Sequence, residues 1–167
     1  MPQGQAACDR QLRSGRAALR YFLDTEYNGW GGALLSLALV PDDGEELYVT
    51  LDWSGHLEPW VERNVLPYLD MVPDSLKSPR MSRPDAARAI AHYLAGDQEP
   101  LIVADWPEDI AQINMLLVTG PGMMAEVPGL RFEFMPLSGF STAANSKVPH
   151  NALHDARALR DHILSIE

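Results

Sequence analysis

The sequence predicts an α/β domain whose mixed β-sheet is flanked by helices. Three strand-like segments come first with short links between them, which is typical of an antiparallel meander. Helical and strand-like segments then alternate, and this alternation favours parallel strands with helices on the sheet faces. The chain has 167 residues, which fits one domain with a single core. We therefore expect a polar, poorly ordered leader over residues 1–17 and one domain over residues 18–167.

The first three strands are indicated by apolar patterning and by a turn signal. In the first segment, Leu19, Tyr21 and Leu23 lie two residues apart and so share one face. The second segment is a continuous apolar run of strand length, and the sequence PDDG that follows it predicts a turn. The third alternates between apolar and polar residues. The three segments are residues 18–27, 33–40 and 45–53.

The rest of the chain contains helical segments separated by two further strands. The segment 57–69 predicts one helix or two short helices broken near Pro67, and a loop follows it over residues 72–84. Helical spacing and a terminal glycine mark the next helix, and a proline followed by two acidic residues marks the start of the third. These later elements are helices over 83–96, 107–120 and 151–166 and strands over 100–105 and 130–137.

Charge and composition limit the classes of function. The formal net charge of −10 argues against a protein that coats nucleic acid by neutralising phosphates, but an enzyme that holds a short strand through metal ions stays possible. No apolar run reaches the length of about 18 residues that a membrane span needs. The N-terminus lacks a signal-peptide pattern, so we expect a cytoplasmic protein with no membrane association. The single cysteine, Cys8, has no internal disulfide partner, and we interpret it as incidental.

Two carboxylates stand close together at the end of the first strand. Asp24 and Glu26 are two residues apart, so both side chains point to the same face of the strand. Carboxylates held together raise the pKa of each other unless a cation neutralises them. The pair indicates either a cation site or two solvated acids at a strand end.

Further acidic residues recur at the ends of other predicted core elements. Asp105 ends a buried strand, Glu108 and Asp109 fall in the first turn of a helix, and Asp155 lies beside the apolar face of the last helix. Acids in a first turn also complement the helix dipole, which is the structural alternative. If the element ends meet, these hard oxygen ligands suit Mg²⁺ or Mn²⁺.

Two histidines four residues apart suggest a rival zinc site. His150 and His154 have a spacing that allows two helical ligands. No cysteine or third histidine lies nearby, and the H-E-x-x-H pattern is absent. The sequence therefore favours the carboxylate site over zinc.

Three motifs resemble those of a known family, the DEDDh 3′–5′ exonucleases. DTEYNG at residues 24–29 resembles the first motif, ADWPEDIAQI at 104–113 the second and HNALHD at 150–155 the third, in the same order as in the family. The short chain is most similar to the small, mycobacterial-type branch of bacterial 3′–5′ exoribonuclease-like proteins. This resemblance implies a ribonuclease-H-like fold.

The resemblance also implies roles for individual residues. The metal-binding acids would be Asp24, Glu26, Asp109 and Asp155, and the general base would be His150. Two ions about 3.5–4 Å apart would flank the scissile phosphate.

Two positions bear on how the motifs match the family. The tyrosine subclass has Tyr where this chain has Asn151, so the histidine subclass fits. Many relatives have a His-Asn pair in the second motif, where this chain has Asp105 and Trp106. Asp105 is therefore an alternative to Asp109 as the metal ligand.

The activity implied by the resemblance is metal-dependent hydrolysis of single-stranded RNA from the 3′ end to nucleoside 5′-monophosphates. It would use two Mg²⁺ or Mn²⁺ ions, and single-stranded DNA or short oligonucleotides are further possible substrates. A homodimer is expected because relatives often pair. The alternatives are a catalytically inactive exonuclease-like module that binds nucleotides or a protein partner, and a phosphodiesterase that acts on small nucleotides.

Four residues near the motifs are candidates for substrate contact. Thr25 lies between the first two acids, Trp30 and Trp106 either stack a base or pack at the protein edge, and Lys147 either contacts a phosphate or is solvated. A basic stretch either guides the nucleic-acid backbone or forms a solvated loop. It consists of Lys77, Arg80, Arg83 and Arg88.

Overall fold

The computed structural model describes residues 18–167, which form a five-stranded mixed sheet flanked by helices. The predicted leader and Cys8 lie outside the described residues. The strands are β1 (Arg20–Tyr27), β2 (Leu34–Pro41), β3 (Leu47–Thr50), β4 (Leu101–Ala104), β5 (Val118–Gly120), β6 (Met123–Met124) and β7 (Arg131–Phe134). The helices are α1 (Pro59–Asn64), α2 (Arg83–Leu94), α3 (Pro107–Leu117), α4 (Thr142–Asn145) and α5 (Ala152–Ile166). Short 3-10 helices occupy Leu66–Tyr68 and Asp74–Leu76.

The sheet combines an antiparallel meander with parallel strands, as the order of elements predicts. Its strand order is β3-β2-β1-β4-β7. The pairs β1–β2 and β2–β3 are antiparallel, whereas β1–β4 and β4–β7 are parallel. Because β1 and β4 are neighbouring parallel strands, their carboxyl ends point to the same edge of the sheet. Ligand sites in α/β sheets favour this position.

The two faces of β1 pack against different helices. Tyr21 and Leu23 belong to the cluster that includes residues of α2 and α3, as the predicted apolar face requires. Phe22 faces the other side and packs with Leu159 and Ile163 of α5. Since side chains alternate along a strand, Asp24 and Glu26 continue the Phe22 face towards α5.

The structure corrects the predicted boundaries at three places. The helix predicted over residues 107–120 ends at Leu117, because β-branched residues and then Gly120 follow, and Val118–Gly120 pairs with Met123–Met124 as a small hairpin. The strand predicted over 45–53 shortens to β3. The segment predicted as a loop over 72–84 contains a 3-10 helix, and its Met81 bridges to Leu51.

The described part of the chain contains no helix that is long and apolar enough to cross a membrane.

Candidate functional site

The first two acids lie where β1 approaches its end in the middle of the sheet. Asp24 and Glu26 are each only 9% exposed, although both are ionisable. They lie opposite Ala38 and Ser36 of β2. Strand geometry therefore holds both carboxylates on the side of the sheet that α5 covers.

Asp109 reaches the same strand end from the first turn of α3. Its Oδ1 accepts hydrogen bonds from the Thr25 backbone N–H (3.1 Å) and from the Thr25 hydroxyl (2.5 Å). The pairing of β1 with β4 ends at Phe22 and Val103, so Asp109 binds an amide beyond the last β4 partner. Asp109 is 2% exposed. These two hydrogen bonds hold the buried carboxylate against β1, and Oδ1 accepts both of them.

Asp155 lies in the first turn of α5, below a side-chain cap. The Asn151 side chain accepts hydrogen bonds from the backbone N–H groups of Leu153 (3.1 Å) and His154 (3.3 Å), which fixes the start of the helix. Asp155 is 4% exposed, and its Oδ2 accepts a hydrogen bond from the His150 backbone N–H (3.2 Å). Its Oδ1 is buried, and no described residue donates a hydrogen bond to it.

His150 is held in an uncommon backbone conformation beside the acids. Its φ is 63°, and it is the only described residue other than glycine with a positive φ. The hydrogen bond to Asp155 and an edge-to-face contact with the Trp60 ring, with centroids 4.9 Å apart, hold it there. Ligand atoms of Glu26, His150 and Asp155 all lie within 4.8 Å of one another. A backbone conformation of this kind is often associated with a functional position.

Together these residues line an open cavity of about 300 Å³, which we call the acid cavity. No Lys or Arg is among the described residues that line it. Its wall is completed by the segment that precedes α5. The lining residues are Asp24, Thr25, Glu26, Tyr27, Asp105, Trp106, Asp109, Phe140, Ser141, Thr142, Ala143, His150 and Asp155.

Burial and mutual repulsion raise the pKa values of these acids. Burial raises the pKa of Asp24 well above its ordinary value, and the charges of Asp109, Glu26, Asp155 and then Asp105 raise it further. The pKa of Glu26 is raised for the same reasons, by burial and then by Asp155 and Asp109. The strongest influences on both pKa values, which are burial and the neighbouring carboxylates, raise them.

The other three acids are affected in the same direction. Burial raises the pKa of Asp109 to about 7, although the Thr25 hydrogen bonds oppose the rise, and it raises the pKa of Asp155 to about 6. The nearby Ser146 hydroxyl opposes the rise in the pKa of Asp155. Burial also raises the pKa of the half-buried Asp105.

The donor set fits divalent cations that prefer oxygen ligands. Several buried carboxylates converge in a cavity that no Lys or Arg of residues 18–167 lines, and no residue in that range donates a hydrogen bond to Asp155 Oδ1. A buried, unpaired carboxylate is costly unless it is neutralised or coordinates a metal. Carboxylates with no thiolate ligand suit Mg²⁺ or Mn²⁺. A bound ion of this kind would neutralise the repulsion between Asp24 and Glu26.

A second, mainly apolar cavity of about 340 Å³ adjoins the acid cavity. We call it the tryptophan cavity because Trp30, Trp60 and Trp106 line it. These side chains are 96%, 50% and 57% exposed, which is unusual for tryptophan. His150 lines both cavities. An exposed aromatic group beside a charged cleft marks a surface suited to stacking a ligand ring.

The turn that carries Trp30 is fixed by hydrogen bonds on both sides. The Gly31 backbone N–H donates to Glu108 (2.9 Å), and the Gln112 side chain donates to the Gly32 carbonyl (3.1 Å). A Cβ on Gly32 would lie 1.8 Å from the Asn28 carbonyl oxygen, so only glycine fits there. Trp30 is therefore exposed on an anchored turn.

The remaining sequence candidates fall outside the acid cavity. Lys147 is exposed on a neighbouring groove. His154 points to the same groove, with its Nε2 2.9 Å from the Met71 carbonyl oxygen, so it does not join His150. In the basic stretch, Lys77 pairs with Asp74 and Arg88 with Asp85, while Arg80 lies over the Trp53 ring and 3.6 Å from Asp70.

Two parts of the site are not indicated by the sequence motifs. No sequence motif indicates the part of the cavity wall formed by residues 140–143. Ser141 caps α4 there by accepting a hydrogen bond from the Ala144 backbone N–H (3.3 Å). Serine and threonine are common helix caps, so the Ser-Thr pair at 141–142 is a signal that could have indicated this helix start. The contact of Trp60 with His150 joins residues 90 positions apart, and no local signal indicates it.

No protein-family model matches the chain, and no curated protein matches it. The chemistry of the two cavities is therefore the basis for a functional proposal.

Proposed function

We propose that this protein is a metal-dependent 3′–5′ exonuclease with a ribonuclease-H-like fold of the DEDDh type. Its substrate would be single-stranded RNA, with single-stranded DNA and short oligonucleotides as further substrates, and its products nucleoside 5′-monophosphates. One observation carries the proposal: four buried acids from three separate elements converge on one cavity with a histidine. These residues are Asp24, Glu26, Asp109, Asp155 and His150.

The four acids would hold two Mg²⁺ or Mn²⁺ ions. When bound, such ions polarise the scissile phosphate, lower the pKa of the attacking water and stabilise the leaving 3′ oxygen. The charges of Asp109, Glu26, Asp155 and Asp105 all raise the pKa of Asp24, so Asp24 lies within the cluster of acids that would hold the ions. We prefer Asp109 to Asp105 as the fourth ligand. Asp109 is fully buried against β1, and its charge affects Asp24 more than that of Asp105 does.

His150 would accept a proton from the attacking water. Histidine is suited to proton transfer near neutral pH. Its ring atoms lie within 4.8 Å of the Glu26 and Asp155 ligand atoms, so a water bound by these acids would be within its reach. The backbone hydrogen bond to Asp155 ties the position of the base to that of a metal ligand.

The tryptophan cavity supports a single-stranded substrate. An exposed base at a strand end can stack on an aromatic ring, and such stacking is independent of sequence. Trp30 and Trp106 are exposed beside the acids, which favours base stacking over packing at the protein edge for both residues. Thr25 would contact the strand less directly, since its hydroxyl is engaged by Asp109, and Lys147 lies on a neighbouring groove outside the acid cavity.

The proposal is tested with a single-stranded RNA that carries a fluorescent label at its 5′ end. With Mn²⁺ or Mg²⁺ we expect a ladder shortened from the 3′ end and release of nucleoside 5′-monophosphates. With EDTA, or with a circular strand of the same sequence, we expect no product.

The residue assignment is tested with substitutions in the same assay. Asp24→Asn and His150→Ala should each lower the rate by about 100-fold or more while the far-UV circular dichroism stays unchanged. Asp52→Asn and His92→Ala change exposed residues away from the cavities and serve as matched controls. A parental rate in either site variant would refute the assignment. Metal binding without cleavage of any strand would favour the inactive module.

A further inference from the structure

A groove on the outer side of α5 carries an excess of positive charge. We call it the α5 groove; its volume is about 370 Å³. It lies outside the acid cavity and has its own set of charged groups. It is lined by Glu46, Asn145, Lys147, His154, Arg157, Ala158, Arg160 and Asp161. Three cationic side chains thus face two acidic ones, in a chain whose formal net charge is −10.

The arginines of the groove are held in place by acids. Arg157 donates from Nε (2.8 Å) and Nη2 (2.5 Å) to the two oxygens of Glu46. Arg160 donates from Nε to Asp161 (2.9 Å), and its Nη1 lies 3.6 Å from Glu46. The arginine side chains are 27% and 24% exposed. A guanidinium group has five N–H donors, so each fixed arginine retains donors for another anion.

Lys147 contributes a cation that extends over the same groove. It is exposed, and its positive charge reaches the interior of the groove. There, burial first and then the charges of Arg157 and Lys147 lower the pKa of His154. His154 lines the groove with its Nε2 2.9 Å from the Met71 carbonyl oxygen, and because its pKa is lowered we do not count it among the charges of the groove. The charged components are thus arranged around one opening.

The α5 groove lies next to the acid cavity, with α4 between them. Ser141, Thr142 and Ala143 line the acid cavity, whereas Asn145 and Lys147 line the groove. The four residues of α4 span about 6 Å at the rise of an α-helix. A strand whose 3′ end enters the acid cavity therefore needs only a few nucleotides to reach the groove.

We propose that the α5 groove binds phosphate groups of the substrate strand upstream of the nucleotide that is removed. This inference rests on the proposed nuclease function and adds to it a path for the strand. The acid cavity itself would repel upstream phosphates, because none of the described residues that line it is Lys or Arg. Guanidinium groups and an ammonium group are the groups that neutralise phosphates in nucleic-acid binding proteins.

The test measures binding without metal, so that no hydrolysis occurs. Oligoadenylates of two to eight nucleotides, labelled at the 5′ end, are titrated in EDTA, and fluorescence anisotropy is recorded at several salt concentrations. For the parental protein, affinity should increase with length until the strand spans the groove. Lys147→Gln and Arg160→Gln should each reduce the salt dependence for the longest strand by about 0.7 in log–log slope, the value for one phosphate contact with a single strand.

Arg131→Gln is the matched control. It removes the same charge from an exposed residue at the start of β7, opposite Leu101 at the start of β4 and thus far from the acid cavity. If the groove variants match this control at every length, the inference is wrong. It is also wrong if inorganic phosphate displaces the shortest and longest strands equally well, because the phosphate-sensitive contact would then lie at a site that even the shortest strand occupies, and not in the groove. Because Lys147 is exposed, Lys147→Gln should not affect folding. The test therefore stays valid even if Arg160→Gln perturbs folding.

The two proposals fail in different ways in this design. If the nuclease proposal is wrong, no strand is shortened in Mn²⁺, but the length dependence of binding in EDTA and its loss in the variants are still measured. If the groove proposal is wrong, the strand is shortened in Mn²⁺ by the groove variants and the Arg131→Gln control with the same dependence on length.

Discussion

Metal-free protein should become less stable as the pH rises from 5 to 8. In the folded protein the pKa values of Asp109 and Asp155 are raised to about 7 and about 6, from an ordinary value of 3.8. The folded state therefore binds more protons than the unfolded state in this range, and the free energy of unfolding falls with increasing pH. A carboxyl group whose pKa is raised in the folded state contributes most to the free energy of unfolding below the pKa that it has in the unfolded state. This contribution is lost as the pH rises through the pKa that it has in the folded state.

The size of the effect follows from these two shifts. Between pH 5 and pH 8, the two groups together lower the free energy of unfolding by about 4 kcal/mol. Asp24 and Glu26 act in the same direction, since burial and like charges raise both pKa values. A loss of this size is a large fraction of the stability of a typical domain. Divalent ions that bind only the folded protein should restore it.

The assay is urea unfolding followed by far-UV circular dichroism, at pH 5 to 8, in EDTA and in Mn²⁺. We expect the midpoint to fall with pH in EDTA and to change little in Mn²⁺. Asp155→Asn removes one titrating group and should flatten the profile in EDTA, whereas Asp52→Asn on the exposed surface should leave it unchanged. If the metal-free protein is as stable at pH 8 as at pH 5, the acids do not converge as described.

Three further predictions concern single side chains. Thr25→Val removes the hydroxyl that donates to Asp109 and should lower the free energy of unfolding by about 2 kcal/mol at pH 8 in urea titrations. A loss of stability no greater than that caused by substitution of an exposed residue would show that this hydrogen bond is not formed. Trp60→Ala should lower kcat more than it raises KM, because its ring positions the general base, and Trp60→Phe should recover most of the rate; a pure KM effect would argue against positioning. Asp109→Asn should weaken Mn²⁺ binding, measured by calorimetry, more than Asp105→Asn does, and the reverse order would make Asp105 the ligand.

The local parts of the acid cavity could be predicted from the sequence because they depend on short-range geometry. The spacing of Asp24 and Glu26 places them on one face of a strand, and the order of elements predicts the antiparallel and parallel pairings of β1. The proline and acids at the start of α3 mark the first turn from which Asp109 extends, and the helix predicted from residue 151 places Asp155 near its start. These features need no knowledge of distant contacts.

Other parts of the site depend on contacts between residues that are far apart in the sequence, and no local sequence pattern indicates these contacts. The bond from Asp109 to the Thr25 amide exists because β4 ends before that amide, which is a property of the sheet register. The contact between Trp60 and His150 depends on the path of the segment before α1. The hairpin of β5 and β6 replaces the last predicted turn of α3. Residues 118–120 have a weak helical pattern, and their strand pairing with Met123–Met124 is more favourable than one more helical turn.

The most direct test of the proposed metal centre is anomalous scattering from a crystal grown with Mn²⁺ and a nucleoside 5′-monophosphate. The proposed chemistry predicts two manganese peaks in the acid cavity, with oxygens of Asp24, Glu26, Asp109 and Asp155 as ligands and the phosphate of the nucleotide beside them. A cavity without manganese at saturating Mn²⁺, or a single ion bound away from Asp24, would contradict it.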